Sequence, residues 1–308
     1  MSQRSDVEFT SQGVVCRAWL YMPVRPDARP APCIVMAPGL GGTRDAGLEP
    51  YARRFADAGY VVLLFDYRHF GASDGEPRQL VSTSRQLDDW AAAIAFARRQ
   101  PGIDGGCIAL WGTSFSGGHV LVAAARDGRI AAVSAQCPLM DGLAAVLNLI
   151  AYAGFGMVLR LTANGLRDLV HSLLGRPPVY VPIVAPPGHL AAMSTPDAEP
   201  GYRAIVPPDW RNEAAARLAL TIGLYRPVRY ARRVPCPILI QVCAADSVAP
   251  TQAAIAAADK IGPRAELTIY PDTGHFDLYL GAGFEHACAD QLAFFERVLR
   301  TPAAIATD

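Results

Sequence analysis

Six short apolar runs, separated by longer amphipathic stretches, constrain the fold of this chain more than any other feature. They are "CIVMAPG" (33–39), "YVVLLFDY" (60–67), "CIALWG" (107–112), "AAVSAQCP" (131–138), "PILIQVCAAD" (237–246) and "AELTIYPD" (265–272). Runs of roughly four to eight apolar residues are how parallel strands buried on both faces read in a sequence. Helices are predicted between them, over 49–59, 84–100 and 283–300. "VEFTSQGVVCRAWLYMP" alternates around Gly13 and predicts an opening β-hairpin. With that hairpin the strands number eight, which gives an α/β class with a mostly parallel sheet flanked by helices.

About a hundred residues separate the run at 131–138 from the run at 237–246, far more than one crossover helix needs. The expected division is therefore a core made of 1–138 and 231–308, with an inserted cap or lid at 139–230. The cap holds "LAAVLNLIAYAGFGMVL" (143–159), 17 residues whose one strongly polar member is Asn148. That length is short for a membrane span and two glycines interrupt it, so an apolar helix over a pocket is expected, with a membrane-touching cap as the alternative. "GRPPVYVPIVAPPGH" (175–189) carries five prolines and predicts an extended strap. A further helix is expected near 210–224.

Composition excludes several classes. Lys and Arg number 28 against 28 Asp and Glu, which leaves no overall electrostatic footprint for nucleic acid or for an acidic membrane surface. The polar opening "MSQRSDVEFT" has no secretory core. Seven scattered cysteines, without a Cys-x-x-Cys pair, read as reduced thiols in a cytoplasmic protein with no structural metal and no cofactor. Oligomeric state is not legible, and a homodimer stays open.

In open α/β sheets ligands sit at the carboxyl ends of the strands. Past "CIALWG" come Thr113 and Ser114; "PILIQVCAAD" ends on Asp246; past "AELTIYPD" comes "TGHFD" with His275. A hydroxyl needs an imidazole to take its proton, and that imidazole needs a carboxylate to set its tautomer and stabilise its charge. "WGTSFSGG" (111–118) matches the nucleophile pattern Gly-x-Ser-x-Gly cleanly in neither register, so Ser114 and Ser116 both qualify on local pattern alone.

The order Ser, Asp, His, the strand rhythm and the insertion after the sixth strand together resemble the α/β-hydrolase superfamily. The resemblance covers about 7–138 and 231–300. It implies Ser114 as nucleophile, since the first glycine of the pattern, Gly112, closes the strand; Ser116 then replaces the second glycine. It also implies Asp246 and His275 as partners. "APGLGG" (37–42) stands where the family has its oxyanion loop, which implies backbone amides of Phe115 and Leu40 as oxyanion donors. "DYRHFGASDG" (66–75) resembles the family's turn after the fourth strand, with His69 where glycine is usual.

Other polar residues take plainer expectations. His119 is read as packed, Asp66 as a loop organiser, Asp277 as structural or solvent-facing, and Cys137 as a packed thiol. Asp272 is a weaker rival to Asp246. The expected function is a serine hydrolase cleaving carboxylic esters through an acyl-enzyme, with a small-molecule ester or thioester as substrate. Leu143, Leu147, Ile150, Phe155 and Met157 of the cap are expected to line an apolar pocket. Alternatives are a thioesterase releasing an acyl or polyketide chain, an amidase or peptidase, and a ligand-binding pseudo-hydrolase.

Overall fold

The structure, a computed structural model, describes residues 2–24 and 30–299. Residue 300, assigned above to the last helix, and the rest of the core's C-terminal end lie outside the described residues.

Strands β1 (Gln3–Ser11) and β2 (Val14–Met22) form the expected antiparallel hairpin, and β2 pairs antiparallel with β4 (Val61–Phe65). The remaining pairs are parallel: β3 (Ala31–Ala37) with β4 and with β5 (Ile103–Thr113), β5 with β6 (Ala132–Gln136), β6 with β9 (Ile238–Cys243), and β9 with β10 (Ala265–Tyr270). The eight-stranded sheet has the order β1-β2-β4-β3-β5-β6-β9-β10. Every residue of β4, β6 and β9 is buried, as strands covered on both faces must be. Helices α1 (Glu49–Asp57) and α8 (Gly281–Leu299) pack together on one face, where Phe55 meets Phe295 edge-on. Helices α2 (Thr83–Ala97) and α3 (Phe115–Asp127) pack together elsewhere on the sheet, and α7 (Thr251–Ile261) lies against β9 and β10.

Between β6 and β9 the chain forms α4 (Gly142–Ala153), α5 (Phe155–Leu173), a two-residue ladder of β7 (Tyr180–Val181) with β8 (Ala214–Ala215), and α6 (Ala198–Ile205). The apolar stretch at 143–159 is thus two helices rather than one. Gly154 breaks it by adopting φ 78°, a conformation other residues rarely take. The helix expected near 210–224 is not α-helical. Two 3-10 turns (216–220 and 222–224) stand there and a third follows at 227–233, and Asp168 holds the first by accepting from the Arg217 amide and guanidinium at 2.6–3.0 Å.

Candidate active site

The strand-to-helix turn between β5 and α3 sets the geometry. Gly112 lies so close to α3 that a Cβ there would fall 2.4 Å from the Ser116 carbonyl oxygen. Two residues later Ser114 takes φ 56°, ψ −119°, a conformation costing about 1–3 kcal/mol that only its surroundings can impose. Its amide donates to the Gln136 carbonyl at 2.9 Å, and its own carbonyl accepts from Leu139 at 2.8 Å. These bonds anchor the elbow to the end of β6. Ser114 is partly accessible, whereas Ser116 is fully buried, with its hydroxyl 2.8 Å from that of Tyr67. Trp90 donates to Tyr67 in turn at 2.8 Å. Ser116 therefore belongs to a hydrogen-bonded core chain and does not reach the cavity.

Asp246 follows β9, and His275 follows β10. His275 Nδ1 lies 2.6 Å from Asp246 Oδ2, with both side chains almost wholly buried. The other carboxylate oxygen accepts from the Val248 and Ala249 amides at 2.8 and 2.7 Å, so Asp246 cannot rotate freely. Burial alone would disfavour the imidazolium, but the charge and hydrogen bond of Asp246, assisted by the charge of Asp197, outweigh it and raise the His275 pKa. Asp197 is a carboxylate that no sequence pattern singled out. It accepts from Ser247 and, at 3.0 Å, from Thr195, which ties the start of α6 to the residue after Asp246.

Ser114, His275, Gly39 and Leu40 line one small recess. A Cβ on Gly39 would lie 3.1 Å from that of Ser114, so the loop after β3 passes directly over the serine. Gly42 donates to the Gly39 carbonyl at 3.2 Å. In a trans peptide the N–H points opposite the C=O, so this bond turns the Leu40 amide away from the turn. Phe115 is the first residue of α3, where amides have no partner within the helix. Two residues of the insertion brace the loop: Tyr202 donates to the Leu40 carbonyl at 2.6 Å and Trp210 to the Gly41 carbonyl at 2.9 Å.

Beside Ser114 a cavity of about 80 Å³ is lined by Leu40, Phe115, Ala145, Asn148, Leu149 and Val248, among others. A second, more apolar cavity of about 90 Å³ shares Leu40, Ala145, Leu149, Ala192 and Ile222 with it and extends to Leu161 and Leu218. The pocket residues expected from sequence are not among those lining either cavity. Leu143, Leu147 and Phe155 are 45%, 58% and 60% exposed. Ile150 is partly buried away from the cavities, and Met157 packs with Leu161, Val181 and Ala216. For Leu143, Leu147 and Ile150 the reason lies in the rotation of α4. A helix that is apolar all round does not disclose its inner face, and two polar contacts decide it here. Asp141 caps its first turn, and Asn148 donates to the Ser247 carbonyl at 2.8 Å, which brings Ala145 and Leu149 inward.

The plainer expectations fare well. His119 is buried between Tyr225 (2.6 Å) and Gln86 (3.1 Å), and burial pushes its pKa down to about 3. Asp66 accepts from the Arg44 and Ala72 amides and so organises its loop, while burial pushes it up to about 6. Asp277 accepts from the Gly274 amide, and Asp272 is exposed. Cys137 lies 3.2 Å from Cys243; that hydrogen bond and burial keep its thiol protonated. Cys137, Asp246 and His275 could in principle offer ligand atoms to a metal. The carboxylate oxygens and Nδ1 are, however, already spent on each other and on backbone amides. None of the seven cysteines is in a disulfide.

Comparison with known proteins gives the chain's family and fold. Residues 12–149 match the family model for X-Pro dipeptidyl-peptidase (S15 family). The chain is 45% identical over 296 residues to the quorum-quenching protein AidA of Acinetobacter baumannii, covering 96% of this chain and 95% of that protein. It is 30% identical to the thiohydrolase aneE of Aspergillus aculeatus, over 96% of this chain and 93% of the other. The crystal structure of the α/β hydrolase GrgF from Penicillium superposes with a TM-score of 0.80 at 28% identity, covering 97% of this chain and 100% of that one. A curated relative of the same name is a polyketide transferase.

Proposed function

Because the chain belongs to the α/β-hydrolase superfamily, we propose that it is a serine hydrolase that cleaves carboxylic esters of a modest apolar acyl group. The observation that carries this reading is that His275, held by Asp246 in a buried 2.6 Å bond, lines the same recess as the strained Ser114. His275 takes the Ser114 proton as the hydroxyl attacks the carbonyl carbon, and Asp246 stabilises the imidazolium that forms. The amides of Phe115 and Leu40 hold the oxyanion; losing one such donor typically costs about 3–4 kcal/mol. The imidazolium then protonates the leaving group, and the freed imidazole activates a water that releases the acid. The adjoining apolar cavities receive the acyl chain.

A thioester is the second reading, favoured by relatives named as a thiohydrolase and as polyketide transferases. The same residues serve it, because a thiolate leaves more readily than an alkoxide. Hydrolysis of p-nitrophenyl esters and of acyl thioesters, each at graded chain length, separates these. Ser114→Ala should lower the turnover of whichever class is cleaved by on the order of 10⁴-fold or more. Ser116→Ala should stay within a few-fold of wild type and lose about 1–2 kcal/mol of stability through the Tyr67 bond. Equal turnover by wild type and Ser114→Ala would remove the serine mechanism.

A further inference from the structure

Helices α4 and α5 are apolar on two sides. Their inner faces (Ala145, Leu149, Val158 and Leu161) line the cavities beside Ser114. Their outer faces carry Leu147, Phe155, Leu159, Leu166, Val170 and Leu173, each 52–78% exposed. On α5, at 100° per residue, the five of these from Phe155 to Leu173 fall within one arc of about 60°, inside the roughly 100° width of a stripe that normally packs against something. Scattered exposed leucines need no explanation, but a row of five along one face of a helix does.

The charges beside that row indicate what covers it. Across residues 142–176 the basic side chains are Arg160, Arg167, His171 and Arg176, against a single carboxylate, Asp168. Asp168 is fully buried and neutralised by Arg217. Arg160 and Arg167 are exposed on one flank of the α5 stripe. Asp141, just ahead of α4, is paired with Arg226. The outer surface of this helix pair is therefore apolar with a cationic edge and no free carboxylate. Two copies meeting through it would bring like charges together, whereas an anionic lipid surface would satisfy both the leucines and the arginines. No helix among the described residues is long and apolar enough to cross a membrane, so the contact would be peripheral.

We propose that the outer face of α4 and α5 docks the protein reversibly on anionic phospholipid, with Phe155, Leu159, Leu166 and Leu173 entering the interface and Arg160 and Arg167 at the headgroups. The docking is independent of the hydrolytic reading, since it needs no catalysis.

Co-sedimentation of the full chain with phosphatidylglycerol vesicles, against phosphatidylcholine vesicles, tests it. Binding should favour phosphatidylglycerol and weaken with salt. Replacing Arg160→Gln and Arg167→Gln together should weaken it by roughly five-fold per arginine. The pair Leu159→Glu and Leu166→Glu should leave the protein in the supernatant with an unchanged melting temperature. The proposal is overturned if wild type fails to bind phosphatidylglycerol, or if the leucine pair still binds as wild type does. It is also overturned if sedimentation velocity finds a dimer that the leucine pair splits, because a second copy would then own this face. Should the leucine pair not fold, retention of full binding by the arginine pair overturns it equally.

Discussion

His275 already shares a hydrogen bond with Asp246 before any substrate arrives, so its titration reports on the pair. Its pKa is raised, and a general base must be neutral to work. In the proposed mechanism kcat/KM should therefore climb with pH through a midpoint above the ordinary imidazole value of about 6.5, then level off. Asp246→Asn removes the charge and, with its oxygen kept on the Val248 and Ala249 amides, turns a donor NH2 towards His275; it should move that midpoint down and lower the rate by on the order of 10⁴. Asp197→Asn should move the midpoint down by less and leave most of the rate, because Asp197 acts on His275 through charge and not through contact. A midpoint unmoved by Asp246→Asn would mean that some other group controls the profile. Ser116 makes a different point at this scale. Its place in the motif suggested a stand-in for glycine, but only the fold could reveal that its hydroxyl continues a chain from Trp90 and Tyr67.

Among the elements, the loop after β3 and the insertion depend on each other. Tyr202 and Trp210 hold the Leu40 and Gly41 carbonyls, and with them the orientation of the loop over Ser114. Tyr202→Phe deletes one brace without changing the ring's packing. It should lower kcat by on the order of tenfold, part of the ~3 kcal/mol that a full oxyanion donor supplies, with KM nearly unchanged. Steady-state kinetics on a short-chain ester checks this; a pure KM effect would place Tyr202 in substrate binding instead. The parallel strands were legible because burial on both faces writes them as apolar runs, and the strand ends led directly to Ser114, Asp246 and His275. The braces were not legible, because Tyr202 and Trp210 lie 162 and 169 residues from the carbonyls they hold. The rotation of α4 was hidden for another reason: an apolar helix carries no periodic signal, and the Asn148 bond to Ser247 that sets it spans 99 residues.

Taken as one molecule, the chain is a mostly parallel sheet whose strand ends lead to Ser114, Asp246 and His275, with the segment between β6 and β9 lining apolar cavities beside Ser114. In the proposed mechanism the strand ends supply the reacting groups, and the segment between β6 and β9 lines much of the cavity for the acyl group. What the insertion admits was beyond the reach of sequence, since its pocket is made from α4, the 192–195 segment and Ile222, which only the tertiary fold brings together. The central claim is that Ser114 is the activated nucleophile of this assembly. Labelling the protein with a fluorophosphonate and locating the adduct by peptide mass spectrometry tests it directly. The account predicts one adduct, on Ser114, abolished by His275→Ala; an adduct on Ser116 or elsewhere, or none on protein that still hydrolyses esters, would contradict it.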